Sequence, residues 1–566
     1  MACIRALMSE QTRRDPSQVG SIAEAEKLKE IYARIFMSRP ALEWEDMLGD
    51  RLCCIKIRTV AEWLAASRAA GMSDASLVQD PVFGELVTPG ALVEPLDLPA
   101  RVEPRTSAAL DEVVARWHAA RGPGSAAHPA GEVAGGSAPL DLRHPLQGVR
   151  VVDLSRIIAG PCAARVLAEL GADVLSIQSE TKLDWSLSFH LVFNAGKRSV
   201  TLDFTDDAGK KKLWAILDDL QPDVLLHNYR HLDLARTIGV GPEQVRERFP
   251  AITYTHLNAY GNHGVWKDRP GFEQVVQAVS GIQVGYARGA RPKLLPSPII
   301  DIGCGLLGAF GTVLGLYHRR RTGRGATVTT HLTSVAVLLQ LPQVAAFQRQ
   351  ACLERARAAG WPVRFDPARE VLAGILLARG QPVCVAGPQG DLARWLEQVG
   401  SPGLADRAAA LVGEKLGRSR GDEPALLTAL SRALAGRPLA SWRSTVARAG
   451  LAHSIALLHQ EPIRRIVEEL PRFVQRPIPL VRRRAYPGSP QQLSYVASPL
   501  QLDATPLCDV DPTPVRGTHT RAVLARIGVD VPEGTGMVPY PAEKPYWRWL
   551  LSFVRWGYFA WKSGNI

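Results

Sequence analysis

The chain of 566 residues has no uninterrupted run of about 18 uncharged apolar residues, so no membrane-spanning helix is expected. Its opening residues, MACIRALMSEQTRRDPSQ, lack the apolar stretch of a secretory signal, and a cytoplasmic protein is expected. Cysteine is sparse. The eight cysteines, at 3, 53, 54, 162, 304, 352, 384 and 508, form no C-x-x-C pair, which argues against a disulfide framework and against a cysteine metal site. Buried free thiols and no metal are the expectation. No zinc-finger, basic-zipper or RNA-binding signature accompanies the basic residues, so nucleic acid ranks last among partners despite a net charge of +12. No G-x-G-x-x-G follows the first strand-like run, which sets a nicotinamide enzyme low.

What is present is an ordinary globular composition, 46% hydrophobic and 22% charged. The length suggests on the order of three or four domains. The positive charge fits a solvated arginine-rich surface, or a site for a polyanionic small molecule such as a nucleotide or coenzyme A. Residues 1–35 read as a polar tail and a helix over Ala23–Ile35, and 36–118 as a small module. The Gly-, Ala- and Pro-rich stretch within 119–140 reads as a flexible linker. A large domain over 141–335, helices with a small domain over 336–480, a return segment over 481–535 and an aromatic, basic tail over 536–566 complete the division. A weak repeat links Arg39–Trp44 to Arg437–Trp442 and Leu86–Gly90 to Arg484–Gly488 at the same offset, so the first module reads as a partial copy of the small domain.

Strands and helices alternate in the large domain. Val149–Leu154 predicts a strand, Ala159-Gly160-Pro161 a turn, Cys162–Leu170 a helix closed by Gly171, and Ala172–Ile177 a second strand. Strands at Ser199–Asp203, Asp223–Leu226 and Ile252–His256 follow, with helices at Ala208–Leu220 and Gln244–Arg248 between them. This is an α/β, Rossmann-like doubly wound parallel sheet, whose ligands bind at the carboxyl ends of strands. After Arg321 the pattern turns helical and irregular until two strands within Glu370–Val385, a helix at Asp391–Val399, a helical Pro438–Arg448 and an extended Pro477–Thr505. A smaller α+β domain is expected there.

Two carboxylates stand out among apolar and small residues. Glu273 opens the run Val275–Val279. Asp301 follows the strand-like Pro298-Ile299-Ile300 and precedes Gly303-Cys304-Gly305. By their residues alone, Asp301 reads as the N-cap of a helix through Leu306–Leu316 and Glu273 as a helix-start carboxylate. A helix N-terminus also stabilises an anionic nucleophile, so the two readings of Asp301 are compatible.

Five segments in order carry a resemblance: PLQGVRVVDLSRIIAGPCAARVLAELGADVLSIQ from Pro145, NAGKRSVTLDF from Asn194, PDVLLHNYR from Pro222, RPGFEQVVQAVSG from Arg269 and SPIIDIGCGLLGAFG from Ser297. Together they resemble the class III CoA-transferases, the family of formyl-CoA transferase, carnitine dehydratase and α-methylacyl-CoA racemase. The likeness is close over about 146–331 and looser over 370–530 and 36–105. It implies that Asp301 is the nucleophile, that Glu273 assists it, that Lys197, Arg198 and Arg230 meet the phosphates of coenzyme A, and that the Ala159-Gly160-Pro161 turn lets the pantetheine approach the backbone. It further implies acyl-CoA and carboxylic acid substrates, coenzyme A as cosubstrate, and an interlocked homodimer. Simpler roles stand beside these: a solvated turn or helix-edge charge for the basic residues, a helix N1 proline for Pro161. The racemase branch has Gly-His-Asp where this chain has Gly271-Phe272-Glu273, so a racemase is the lesser alternative, and a diverged non-catalytic CoA-binding or assembly subunit the other. Gly303–Gly305 offer either oxyanion-binding N–H groups or close helix packing. The tail reads as a docking helix ahead of a membrane-surface one.

Overall fold

The structure, a computed structural model of the chain, describes residues 22–80, 83–95, 143–179, 187–287, 289–361, most of 367–435, and 452–455, 481–485, 492–496, 506–508 and 510–532. The linker over 119–140, the helical reading of Pro438–Arg448, the repeat segments Arg437–Trp442 and Tyr486–Gly488, and the aromatic tail lie outside the described residues.

The N-terminal module consists of α1 (Ile22–Phe36), α2 (Ala41–Leu48), α3 (Val60–Ala69), β1 (Ala75–Asp80), β2 (Gly84–Pro89) and the short β3 (Glu94–Pro95). Thr59 starts α3 with a complete capping box: its side chain accepts from the Glu62 N–H while Glu62 accepts from the Thr59 N–H. β1 and β2 form an antiparallel hairpin.

The main body runs β4 (Arg150–Asp153), α4 (Ala159–Glu169), β5 (Asp173–Gln178), α5 (Leu187–Phe193), β6 (Lys197–Thr201), α6 (Asp207–Leu220), β7 (Val224–His227), α7 (Leu232–Ile238), α8 (Pro242–Arg248) and β8 (Thr253–Asn258). It continues through α9 (Glu273–Ser280), α10 (Ile282–Ala287), α11 (Ile299–Thr322), β9 (Ala326–His331), α12 (Leu332–Leu339) and α13 (Leu341–Ala358). The sheet order is β3-β9-β8-β7-β4-β5-β6, parallel except for β3. Taken alone, the six parallel strands have the 3-2-1-4-5-6 order of a dinucleotide-type fold, with the order reversing between β4 and β7. Neighbouring strand residues serve opposite layers. Val151, Val174 and Val224 pack in one apolar cluster, and Val152, Leu175 and Leu225 in another, so both faces of the sheet are buried.

Three expectations need correction here. Ala159, Gly160 and Pro161 are the first three residues of α4, not a turn, and Pro161 is not at the N1 position. Pro298-Ile299-Ile300 is not a strand: Pro298 is the N-cap of α11, so Asp301 lies inside the first turn and is not the cap. No strand was expected between Arg321 and Glu370, yet Ala326–His331 is β9, and its alternating Thr and Val are good strand formers. α11 is also long and apolar enough to cross a bilayer. Its glycine-lined face is buried instead, against α4, β8 and β9. Of the six described free cysteines only Cys162 and Cys304 are buried, and Cys53 is exposed.

By internal contacts the chain divides into two compact units. The first takes in the described residues of Met1–Ala287, Arg291–Arg355 and Arg482–Ile566, so the N-terminal module belongs to the same unit as the large sheet. The second covers Arg288–Ala290 and Ala356–Val481. It holds the hairpin β10 (Val371–Ala378) and β11 (Gln381–Pro388), helices α14 (Gln389–Val399) and α15 (Ala425–Leu434), and β12 (Ala452–Ile455), which pairs with β11. Trp395, Leu396, Leu426 and Leu430 are fully buried in its own core. Near the end of the chain β13 (Val481–Ala485) and β14 (Gln492–Val496) form a two-stranded sheet, and α16 (Thr520–Arg526) closes the described part. α16 covers the open edge of the large sheet: the β6 N–H groups of Ser199 and Thr201 donate to the side chains of His519 and Thr520.

Candidate active site

A cavity of about 290 Å³ opens at the carboxyl ends of β4, β7 and β8, where the strand order reverses. Its lining includes Arg156–Ala159 after β4, Asn228–Arg230 after β7, Asn258 and Ala259 at the end of β8, Arg269–Phe272, and Asp301. The fold brings these together because each parallel strand delivers its following loop to the same edge.

The loop after β4 is strained. Ile157 has φ = 73°, a left-handed conformation that a β-branched residue adopts at a cost of about 1–3 kcal/mol. Asn228 holds the peptide before it. Its Oδ1 accepts from the Arg156 N–H at 2.9 Å, and its Nδ2 donates to the Arg156 carbonyl at 2.7 Å. This clamp ties the β4 and β7 loops across the switch point. Gly160 is required beside it, because a Cβ there would lie 2.2 Å from Ser155 Cβ and 3.2 Å from Asn228 Cγ.

Asp301 is 8% exposed and reaches the cavity from the first turn of α11. Burial, reinforced by repulsion from Glu273, pushes its carboxyl up to about 8. Glu273, at the start of α9, is buried and performs the capping that Asp301 was expected to perform. Its Oε2 accepts from the Asp301 N–H at 2.7 Å and its Oε1 from the Ile300 N–H at 3.3 Å, while Gln277 Nε2 donates to Oε1 at 2.8 Å. Two N–H groups of the first turn of α11, which no intrahelical carbonyl can satisfy, thus end on a carboxylate from another helix. Burial raises the Glu273 carboxyl too, against these bonds.

Gly303–Gly305 lie within α11, where their N–H groups serve the helix ladder, so they form no oxyanion hole. Their smallness serves packing. A Cβ on Gly305 would lie 2.6 Å from Cys162 Cβ and 2.7 Å from the Ala159 carbonyl, and one on Gly303 2.7 Å from Val335 Cγ1.

The basic residues separate. Lys197 is entirely buried. Its ammonium spends three donors on Asp153 Oδ2 (2.9 Å), the Pro161 carbonyl (3.0 Å) and Asn194 Oδ1 (3.0 Å), which leaves none for a phosphate. It locks the first turn of α4 to β4. Arg198 forms a two-pronged ion pair with Asp173 at the amino-terminal end of β5, the end of the sheet away from the cavity. Arg230 does line the cavity, donating to the carbonyls of Asp268 and Asp50. Ala159 lines it as well; Gly160 and Pro161 stand behind it in α4. The composition gave no sign of Arg269, Arg156 and Asn228; their signal lay in the segments RPGFE, DLSR and HNYR, beside residues already singled out.

Neither His256 nor His263 lines the cavity. His256 is fully buried, with Nε2 2.8 Å from the Tyr229 carbonyl, and burial lowers its pKa to about 4. His263 is exposed at 4.0 Å from Glu94. Phe272 is the N-cap of α9 and lines the cavity 45% exposed, with no group able to carry a proton. Among the described residues no cluster of histidine, cysteine and carboxylate side chains is arranged to hold a metal.

Fold and site together define an α/β protein with a desolvated carboxylate at a switch-point cavity. The chain belongs to CoA-transferase family III, whose sequence profile matches residues 146–520. A probable fatty acyl-CoA transferase of Mycobacterium tuberculosis is 28% identical over 403 residues, covering 68% of this chain and 98% of its own. A succinyl-CoA:glutarate CoA-transferase of Mus musculus is 32% identical over 36% of this chain and 49% of its own. A crystal structure of the mycobacterial protein superposes with a TM-score of 0.55 at 22% identity, over 67% of this chain and 99% of that one. A CaiB/BaiF family protein of Brucella suis superposes with a TM-score of 0.52 at 20% identity, over 68% and 99%.

Proposed function

We propose that this protein transfers coenzyme A from an acyl-CoA donor to a free carboxylic acid, with Asp301 as the nucleophile. The observation that carries this reading is the placement of Asp301: a deeply buried carboxylate, reached through the cavity, in the first turn of a helix already capped by Glu273.

In the first step an Asp301 Oδ attacks the thioester carbonyl carbon; the C–S bond breaks and coenzyme A leaves as thiolate, giving an acyl–aspartyl anhydride. The thiolate then attacks the aspartyl carbonyl and displaces the donor acid, leaving an aspartyl-CoA thioester. The acceptor carboxylate attacks that thioester, again releasing thiolate, and the thiolate takes the acceptor acyl group to regenerate Asp301. One thioester is broken for each one made. Burial supports this chemistry, because a site that disfavours the Asp301 anion favours its uncharged acyl forms relative to it. Glu273 holds the turn that carries Asp301, and Arg230 and Arg269 at the cavity face the anionic part of coenzyme A. Phe272 disfavours racemisation, which needs a second proton carrier.

Intact-protein and peptide mass spectrometry after mixing with a panel of acyl-CoAs and free acids tests the reading. An acyl or CoA adduct on Asp301, absent from Asp301→Ala, is expected. Unchanged transfer in Asp301→Ala overturns Asp301 as the nucleophile, and neither adduct nor transfer in the wild-type chain with any donor overturns the transferase reading and leaves a non-catalytic CoA-binding or assembly subunit. The homodimer implied by the family resemblance is checked by light scattering on the purified chain.

A further inference from the structure

The N-terminal module precedes the region matched by the family, yet it contacts two arginines that line the cavity. Asp50, in the loop after α2, meets both arginines singled out above. Its carbonyl accepts from Arg230 NH2 at 2.5 Å, and its carboxylate Oδ1 accepts from Arg269 Nε at 3.0 Å. Glu45 in α2 lies 3.7 Å from Arg269 NH1, and the ring of Trp266 lies under the same guanidinium with 4.2 Å between Cζ and centroid. The loop approaches so closely that a Cβ on Gly49 would sit 3.2 Å from Arg269 Cζ.

The loop is itself held. Glu45 and Arg58 form a buried two-pronged ion pair at 2.7 and 2.8 Å. The Arg58 N–H donates to the Ala278 carbonyl of α9 at 3.0 Å. Thr59 and Val60 then press on Gly281, where a Cβ would meet Val60 N at 2.3 Å. The module therefore grips the last turn of α9, the helix whose first residue caps the turn bearing Asp301.

We infer that Glu45 and Asp50 are positioning residues for substrate binding, fixing the guanidinium groups of Arg269 and Arg230 toward the anionic portion of coenzyme A. An arginine with one face on a tryptophan and two carboxylates behind it loses little freedom when it meets a phosphate, so binding costs less. Neither carboxylate touches the substrate. This inference rests on the CoA-transferase reading.

Asp50→Asn is the informative substitution, because its side chain is 75% exposed and its backbone carbonyl, the acceptor for Arg230, is kept. Calorimetric titration of the full-length protein with free coenzyme A should show Kd rising roughly threefold to fivefold, the scale of one partly exposed ion pair. The steady-state KM for acyl-CoA should rise in parallel, with kcat within about twofold. In an Arg269→Ala background the same substitution should have no further effect on Kd, a coupling that a merely structural role would not produce. If the wild-type protein binds coenzyme A and Asp50→Asn binds it equally well, the inference fails and the transferase reading stands. Equal effects of Asp50→Asn with and without Arg269 also overturn it. Failure of the wild-type protein to bind coenzyme A overturns the transferase reading and this inference together.

Discussion

A carboxylic acid shielded from water beside a second carboxylate keeps its proton past neutrality, and that governs what Asp301 can do. In the unliganded protein its ionised fraction grows about tenfold per pH unit up to about 8, so kcat/KM is expected to climb between pH 6 and 8 and level off above. Between its unfolded value near 3.8 and its folded value near 8, the folded state binds the proton and the unfolded state does not, so this group lowers stability as pH rises through that window. Asp301→Asn removes the cost. Its melting temperature should exceed the wild-type value by more at pH 8 than at pH 5, as scanning calorimetry will show, while transfer is lost. Glu273→Gln keeps an oxygen for the α11 N–H groups but removes the like charge. The pH–rate midpoint should move below the wild-type value, with a smaller loss of kcat than at Asp301; an unmoved midpoint would show that Glu273 repulsion does not act on Asp301. The identity of both carboxylates was legible in the segments GFEQ and IIDIG. Their roles were not, because capping is decided by which carboxylate lies over the helix end in space.

At the scale of elements, the glycines of α11 decide how closely this helix, which carries Asp301, lies on α4. Gly305→Ala brings a methyl group against Cys162 Cβ and the Ala159 carbonyl, and backbone cannot swing away as a side-chain tip can. A loss of about 1–3 kcal/mol is expected by denaturant unfolding, with reduced kcat because α11 carries Asp301. Wild-type stability in this variant would mean that the two helices have room to part. The first five parallel strands were readable because they are short, β-branched and bounded by turn residues. β9 escaped because Thr327, Thr329 and Thr330 look polar in sequence, although the sheet buries all three. The basic residues misled for a related reason. Lys197 and Arg198 adjoin in sequence, but strand alternation sends one into the protein and the other to an exposed edge pair.

At the scale of the molecule, the N-terminal module shares a core with the large sheet. Trp63 is fully buried 5.2 Å from Trp266, the Val265 N–H donates to the Ala70 carbonyl, and β3 adds a strand beside β9. Trp63→Ala should cost about 3–5 kcal/mol and shift the unfolding of the whole first unit. A separate early transition for the module, with the main transition unmoved, would contradict a shared core. Nothing in the module's residues pointed to this docking: the main-body partners Ala278 of Arg58, Trp266 of Trp63 and Thr329 of Glu94 lie roughly two hundred residues further along the chain.

The sequence by itself determined the alternation of strands and helices, the family, and the pair of carboxylates, because these depend on local periodicity and on short segments kept in order. Only the tertiary structure decided that Glu273 caps the turn of Asp301, that Lys197 supports a helix and is closed to phosphate, and that a module outside the family match holds the cavity arginines. Each of these is a contact between residues far apart in the chain, and such contacts follow from packing and desolvation, which no local pattern of residues records.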